Sequence, residues 1–337
     1  MTTLGFILPG GPLPRTGGTL YNLALIDALD ASGHAVLQVP LTGTWPLPTP
    51  PQLDRMVAPL SELPPGLPLL VDGLLWTGLG PLLPRLTLRH PCTVLVHSPL
   101  FRETGLTRAE ADHLRAAEAH ALQAAHACIA TGSPTLTDLH GFHLQATCVL
   151  PGTAPAQPVS ASDPHALLSV ATITPRKGHD RLLRALSTLT HLPWHLTCAG
   201  STTTAPAWFA HIRALVAALH LGDRVHFAGE LDAPALDHAY GQAGLLVHGA
   251  HYEAYGMAIA EALVRGIPVV TTAAGARTPA VEAATRLLPA DPTTWSPILQ
   301  AAMGPHHTAL RAAARAVRLP SWSDAARAIL AGLAVSR

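Results

Sequence analysis

Lysine is almost missing from this chain. Of its 21 lysine and arginine residues one is a lysine, Lys177. Charge as a whole is scarce: Asp, Glu, Lys and Arg make up 12% of the 337 residues, about half the share in ordinary globular domains. With the histidines neutral the net charge is zero, so no strong pull toward nucleic acid is expected. The four cysteines are widely spaced and form no C-x-x-C. Each lies in an apolar run, which predicts small buried thiols in a reducing compartment, the cytoplasm. No apolar run reaches the length of a membrane-spanning helix. The N-terminal "MTTLGFILPGG" lacks a charged n-region, so a signal peptide is not expected. Several active-site signatures are also missing. "GPLPRTGGTLYN" is not G-x-G-x-x-G, which disfavours a dinucleotide dehydrogenase. There is no G-x-x-x-x-G-K-[ST] and no G-x-S-x-G elbow.

What is present is a globular composition, 48% apolar, in a chain long enough for two domains. The first half alternates apolar strand-like runs with helical patterns. "LGFILP" is followed by a Pro/Gly-rich loop and a helix from about 18 to 31, ended by Gly33. Residues 42–66 read as Pro-rich and irregular. A strong helix follows Thr107, which caps it. Pro151–Pro164 has the composition of a linker. A second series then begins: "ALLSVAT", a helix over 178–190, "WHLTCAG", a helix over 206–220, "RVHFAG", a helix over 232–242, "GLLVHG", a helix over 256–265 and "IPVVTT". Strands alternating with helices of this length predict α/β architecture with parallel sheets. Right-handed crossovers put all strand C-termini on one edge, where ligands bind. The expectation is two Rossmann-like domains facing each other across a cleft. The boundaries are 1–151 for an acceptor-side domain and 165–318 for a donor-binding domain, with a C-terminal helix at about 320–335 packing back on the first. Residues 1–150 carry a net −3 and the remainder a net +3, so an anionic ligand is expected in the second half.

Two stretches carry chemistry. "PRKG" stands between a strand and a helix. Gly178 and the helix start offer backbone N–H groups, and the helix dipole favours an anion there. A lysine adds a compact positive charge suited to phosphate. The second stretch is "HYEAYGMAIAEALVRGIPVV", His251–Val270. Gly256 reads as a helix start, with Gly266 and Pro268 as its stop. Glu253 then lies in the loop and Glu261 inside the helix, at most ~12 Å apart along the axis. That separation suits a long ligand gripped at two points. Glu261 has apolar neighbours, so a buried partner is required of it. "HGAHYE" brings His248, His251 and Glu253 close together in sequence, but the spacing is not that of a helical zinc site, and no metal is expected.

E-x7-E with "YGM" between, some 75 residues after P-x-K-G, resembles the retaining glycosyltransferase family 4, of GT-B fold. The likeness extends to the "TGG" loop, "LVHSPLFRETGL", "TPRKGHDRLLRAL" and "VHFAGEL". It implies transfer of a sugar from a nucleoside-diphosphate sugar, UDP- or GDP-linked, to a hydroxyl acceptor with anomeric retention and without a metal cofactor. It implies that Lys177 binds the donor diphosphate, Glu261 the ribose hydroxyls, and Glu253 the donor sugar near the reacting carbon. Backbone amides at Tyr255, Gly256 and Met257 would meet sugar hydroxyls and phosphate. Gly17 and Gly18 would let the first domain's backbone approach the diphosphate. His97 resembles the family's histidine beside the donor sugar. The base would lie near Phe227–Leu231 and Gly200–Ser201. Thr172 stands where the family carries an arginine, so either Arg176 supplies that charge or one charge is missing. A catalytically silent sugar-nucleotide-binding subunit is the alternative that this departure motivates, and a nucleotide-sugar epimerase is disfavoured by E-x7-E with "YGM". The acceptor is a carbohydrate, a lipid or a small molecule. The acidic first half favours at most weak membrane-surface contact.

Overall fold

The computed structural model describes residues 3–11, 16–159, 163–272 and 278–335. Pro12–Arg15, within the Pro/Gly-rich loop, lie outside the described residues, as do Ser160–Ser162 of the linker. The chain divides into two compact units, Met1–Gly152 with Pro320–Arg337, and Thr153–Leu319.

The first unit is built on β1 (Thr3–Pro9), β2 (Ala35–Leu41), β3 (Leu69–Asp72), β4 (Cys92–Val96), β5 (Ala127–Ala130) and β6 (Ala146–Cys148). They pair in the order β2-β1-β3-β4-β5-β6, and every pairing is parallel. Helices cover both faces of such a sheet, so its central strands read as unbroken apolar runs rather than alternating ones. β3 and β4 are buried at every position. The core gathers Ile7, Leu69, Val71, Val94 and Trp76, and the Trp76 indole donates to the Ala121 carbonyl at 2.7 Å. The helix Trp322–Val335 belongs to this unit, and Trp322 meets Tyr21 edge to face at 5.2 Å.

The helix after the Pro/Gly-rich loop runs Gly17–Ala31 with Thr16 as its cap. The stretch expected to be irregular holds a helix, Pro50–Ser61. Its first two prolines occupy the first turn, where a missing N–H costs nothing. Gln52 closes that end by accepting the Thr49 N–H at 2.8 Å. The helix Arg108–Leu122 starts at Thr107, whose N–H donates to Glu110 at 2.7 Å. Three of the thiols are buried. Cys148, on the edge strand β6, is exposed, contrary to the sequence expectation. An apolar flank does not bury a residue on a strand with one neighbour.

The second unit contains β7 (Ala166–Val170), β8 (His195–Ala199), β9 (Val225–Gly229), β10 (Leu245–His248), β11 (Val269–Thr271) and β12 (Thr285–Leu287). Their order is β12-β11-β10-β7-β8-β9, again all parallel. Leu167, Leu196, Val247, Trp194 and Trp295 lie in its core. The chain leaves β7 toward β8 on one side and later returns to β10 on the other. The point between β7 and β10 is therefore a topological switch, where loops at the strand C-termini diverge and leave a crevice. In the first sheet the same point lies between β1 and β3. No helix among the described residues is long and apolar enough to cross a membrane.

Candidate functional site

Both chemistry-bearing stretches of the sequence sit at the switch point of the second sheet. The loop after β7 carries Thr172, Arg176 and Lys177. It ends at Gly178, which caps the helix His179–Ser187 with φ 64°. The loop after β10 carries His251, Glu253 and Tyr255. It ends at Gly256, which caps the helix Met257–Val264 with φ 82°. The two loops are joined by the His251 N–H, which donates to the Arg176 carbonyl at 2.8 Å. They approach so closely that a Cβ on Gly178 would lie 2.1 Å from the Gly249 carbonyl oxygen. Glycine here serves both the left-handed backbone and the contact. Neither helix start has a side-chain cap, so its first amides remain available to a ligand.

Lys177 Nζ donates to Glu253 Oε2 at 2.6 Å, and His248 Nε2 lies 2.9 Å from the same oxygen. Burial alone would raise the Glu253 carboxyl. The Lys177 ammonium and the His248 hydrogen bond outweigh it and hold Glu253 well below the usual carboxylate range. Among the described residues Oε1 accepts no hydrogen bond. An ammonium has three N–H groups, so Lys177 keeps two after serving Glu253. His179 is buried beside this cluster, and among the described residues neither of its ring nitrogens has a hydrogen-bond partner. Burial, then the His248 and Lys177 charges, lower it to about 3. It is neutral at physiological pH and adds no charge to the site.

Glu261 lies just over one turn into the helix Met257–Val264. Its buried partner is Tyr240, whose hydroxyl donates to Glu261 Oε2 at 2.8 Å. Arg265 places its guanidinium 4.7 Å from the centroid of the Tyr240 ring and donates to the Glu261 carbonyl and to Asp237. Burial raises the Glu261 carboxyl, while Tyr240 and Arg265 partly counter it.

Gly200 follows β8 with φ 152°, and a Cβ there would lie 2.1 Å from the Ala171 carbonyl. Its N–H donates to the Gly229 carbonyl at 2.7 Å. This seats Gly200 and Ser201 beside the end of β9, where Phe227 and Leu231 are half-buried. Phe227 meets Phe209 edge to face at 5.2 Å. Tyr255 is buried, and Met257 is half-buried at the helix start. Arg176 donates to the Tyr252 carbonyl at 3.3 Å. The structure therefore brings Arg176, Lys177, Glu253, Tyr255, Gly256, Met257 and Glu261 onto two facing loops and one helix. Gly200, Phe227 and Leu231 border the adjacent strand ends.

Gly17, Gly18 and His97 belong to the first unit and form a cluster of their own at the switch point of its sheet. His97 follows β4. Its Nε2 lies 2.9 Å from Asn22 Oδ1, and Asn22 Nδ2 donates to Asp72 Oδ2 at 2.6 Å. The Tyr21 ring meets the imidazole edge to face at 4.8 Å. A Cβ on Gly18 would stand 3.3 Å from His97 Cδ2, whereas one on Gly17 would meet nothing. Burial lowers the His97 imidazole, and nearby Asp72 partly offsets this.

The sequence reading weighed His248 only as part of a metal grouping it set aside, and it missed His179, Tyr240, Asn22 and Asp72. For Asp72 and His248 the signal is a polar residue closing an apolar strand, as in "LLVD" and "LLVH"; His179, Tyr240 and Asn22 lie on helices and carry no such mark. Among the described residues there is no group of three or more His, Cys, Asp or Glu able to hold a metal ion.

The model of the family described as glycosyl transferases group 1 matches residues 153–294, which contain Lys177, Glu253 and Glu261. No curated protein matches the sequence. Solved structures similar to the whole chain include sucrose-phosphate synthase from Thermosynechococcus elongatus, at 20% identity over 98% of each chain and TM-score 0.77. Another is Anabaena Alr3699/HepE in complex with UDP and glucose, at 15% identity over 99% of this chain and 100% of that one, TM-score 0.76. A third is WaaG, a glycosyltransferase involved in lipopolysaccharide biosynthesis, at 18% identity over 98% and 99%, TM-score 0.71. At such identities the likeness speaks for the fold, and the family match speaks for the domain that holds the site. The chain carries the glycosyl transferases group 1 domain in its second unit, on a GT-B fold, and is a glycosyltransferase.

Proposed function

We propose that the protein transfers a sugar from a nucleoside-diphosphate sugar to a hydroxyl acceptor with retention of anomeric configuration. The observation that carries this is the joining of Lys177, Glu253 and two uncapped helix starts at one switch point. Such a site offers fixed positive charge and N–H dipoles to an anion, beside a carboxylate oriented to accept from hydroxyls. That pairing matches a diphosphate attached to a sugar. The complexes of Alr3699/HepE with UDP and with UDP-glucose lend support, since that protein shares this fold.

In the proposed reaction the bond between the anomeric carbon and the diphosphate oxygen breaks. The acceptor oxygen bonds the same carbon from the same face, and its proton passes to the departing phosphate oxygen. Charge builds on the diphosphate, where preorganised donors act most strongly. Two of the Lys177 N–H groups and the amides of Gly256 and Met257 meet it. Glu253 Oε1 accepts from a sugar hydroxyl, and Glu261 Oε1 from the ribose. Glu253 orients rather than attacks, because its charge is already tied to Lys177 and His248. With this complement of positive groups the reaction needs no metal ion, and turnover is expected to survive chelation by EDTA. Of the two expected donor classes, UDP-sugars are tried first.

Thermal unfolding with UDP, GDP and ADP tests the reading. A ligand at 100 times its Kd adds ~2.7 kcal/mol, a readily measured shift. No shift with any of the three rejects a nucleotide-sugar enzyme. Binding without turnover or donor hydrolysis marks a catalytically silent subunit. The anomeric configuration of the product, read by NMR, decides retention.

A further inference from the structure

We infer that Asn22 and Asp72 form a relay that fixes His97 as its Nε2–H tautomer, so that Nδ1 presents a bare lone pair to a substrate hydroxyl. Asp72 closes β3, is 4% exposed, and accepts the Leu74 N–H on Oδ1 at 2.8 Å. Its Oδ2 stands 2.6 Å from the amide of Asn22, itself 3% exposed. A carboxylate oxygen only accepts, so the amide nitrogen faces Asp72 and the amide oxygen faces His97. That oxygen also only accepts. The hydrogen between it and His97, at 2.9 Å, therefore sits on Nε2.

The ring is packed on one side and its backbone is anchored. Tyr21 packs on it at an interplanar angle of 67°, and the His97 carbonyl receives the hydroxyls of Thr131 and Thr135 at 3.2 and 3.4 Å. Gly18 leaves the space a Cβ would take. Among the described residues Nδ1 has no hydrogen-bond partner. A neutral imidazole held this way accepts from a hydroxyl or an ammonium and repels a carboxylate or phosphate oxygen. The substrate group at His97 is thus a hydroxyl, which rests on the sugar-transfer reading. Asn22 and Asp72 are positioning residues that act through His97.

The full chain labelled with 15N-histidine tests this by imidazole NMR, the His97 signals being those lost in His97→Gln. The wild type should show protonated Nε2 and unprotonated Nδ1. In Asp72→Asn the Asn22 amide is free to turn its nitrogen to the ring, so His97 should shift toward the Nδ1–H form. Turnover should fall ~10²-fold, in the direction seen when a histidine adopts the wrong tautomer, with UDP affinity changed less than ~2-fold. In Asn22→Asp two adjoining carboxyls share a proton and an oxygen still faces Nε2, so the tautomer should persist and turnover should fall less. A wild-type Nδ1–H signal overturns the inference. So does an unchanged tautomer in Asp72→Asn, or equal losses of turnover and melting temperature in both variants. If the wild type binds no nucleotide the sugar-transfer reading fails, while the NMR result still decides the relay.

Discussion

Lys177 Nζ and Glu253 Oε2 meet at 2.6 Å across 76 residues of sequence, and together they tie the loop after β7 to the loop after β10. Both side chains are mostly buried, at 16% and 12% exposure, so neither can lose the other cheaply. Lys177→Met should lower the unfolding free energy by ~2–4 kcal/mol at neutral pH, since it strands a buried carboxylate with His248 alone. The Glu253 pKa is depressed on folding. Its contribution is therefore complete at neutral pH and is lost as pH falls through strongly acid values. Urea denaturation at pH 7 and at pH 3 should show the gap between wild type and variant narrowing in acid. A constant gap would contradict the ion pair.

The same lysine should dominate turnover. Lys177→Ala is expected to lower kcat/KM by at least ~10²-fold, the scale for removing one preorganised donor to a developing anion. Lys177→Arg should not restore it. A planar fork needs a different approach from a point charge, and the Gly178–Gly249 contact leaves the loop no slack. Steady-state kinetics with the donor identified by thermal shift checks both variants, and an arginine enzyme at wild-type rate would remove the reason for this single lysine.

Tyr240 supports Glu261 as His248 supports Glu253. Tyr240→Phe deletes one hydrogen bond to a buried carboxyl group, which is worth ~1.5–3 kcal/mol when the acceptor is charged. Nucleotide affinity should drop about tenfold or more, with kcat little changed, because the ribose is remote from the broken bond. Burial already raises the Glu261 carboxyl and the Tyr240 hydrogen bond counters it. The variant should therefore lose nucleotide at higher pH than the wild type as acid is added. Calorimetric titration of UDP from pH 5 to 8 measures that displacement, and coincident curves would reject it.

The sequence reveals some of this plainly. Buried parallel strands read as apolar runs, which is why the alternation of strand and helix is visible in both units. Lys177, Glu253 and Gly256 stand out because each departs from its surroundings: a lysine in a chain of arginines, an acid before an apolar helix, a glycine where that helix begins. The helix Pro50–Ser61 is obscured by its own prolines, which mark a loop unless the first two are seen as a helix start. The supporting residues are obscured for another reason. Asn22 and Asp72 are 50 residues apart, and Asn22 and His97 are 75 apart. Their meaning lies in which strands are neighbours, and single-residue patterns do not carry strand order.

Glu118 offers a test away from the site. It is 3% exposed on the helix Arg108–Leu122 and accepts the Leu100 N–H at 2.9 Å, fixing the loop that follows His97. Burial, only partly offset by the backbone hydrogen bonds, pushes its carboxyl up to about 8. The folded state then holds a proton that the unfolded chain releases near pH ~4.3. Stability supplied by this group is full below that pH and is lost as pH rises toward 8. Glu118→Gln keeps an acceptor and removes the titration. Melting temperature relative to the variant should fall for the wild type between pH 5 and 8.5, and a pH-independent difference would show that Glu118 is already ionised in the fold.

Gly178 is the point where backbone geometry, rather than charge, sets the site. Its φ of 64° suits glycine, and a Cβ would lie 2.1 Å from the Gly249 carbonyl oxygen, which belongs to the backbone and cannot swing aside. Gly178→Ala thus meets two penalties, a left-handed residue at ~1–2 kcal/mol and a clash relieved only by parting the two loops. Unfolding free energy should fall by more than ~2 kcal/mol. Parting the loops also pulls Lys177 from Glu253, so nucleotide affinity should fall with it. Gly222→Ala is the control, because it lies in a turn where a Cβ would meet nothing within 4 Å, and it should leave affinity unchanged. A Gly178→Ala variant with wild-type stability and UDP affinity would mean that the loops are not in the contact that aligns Lys177 with Glu253.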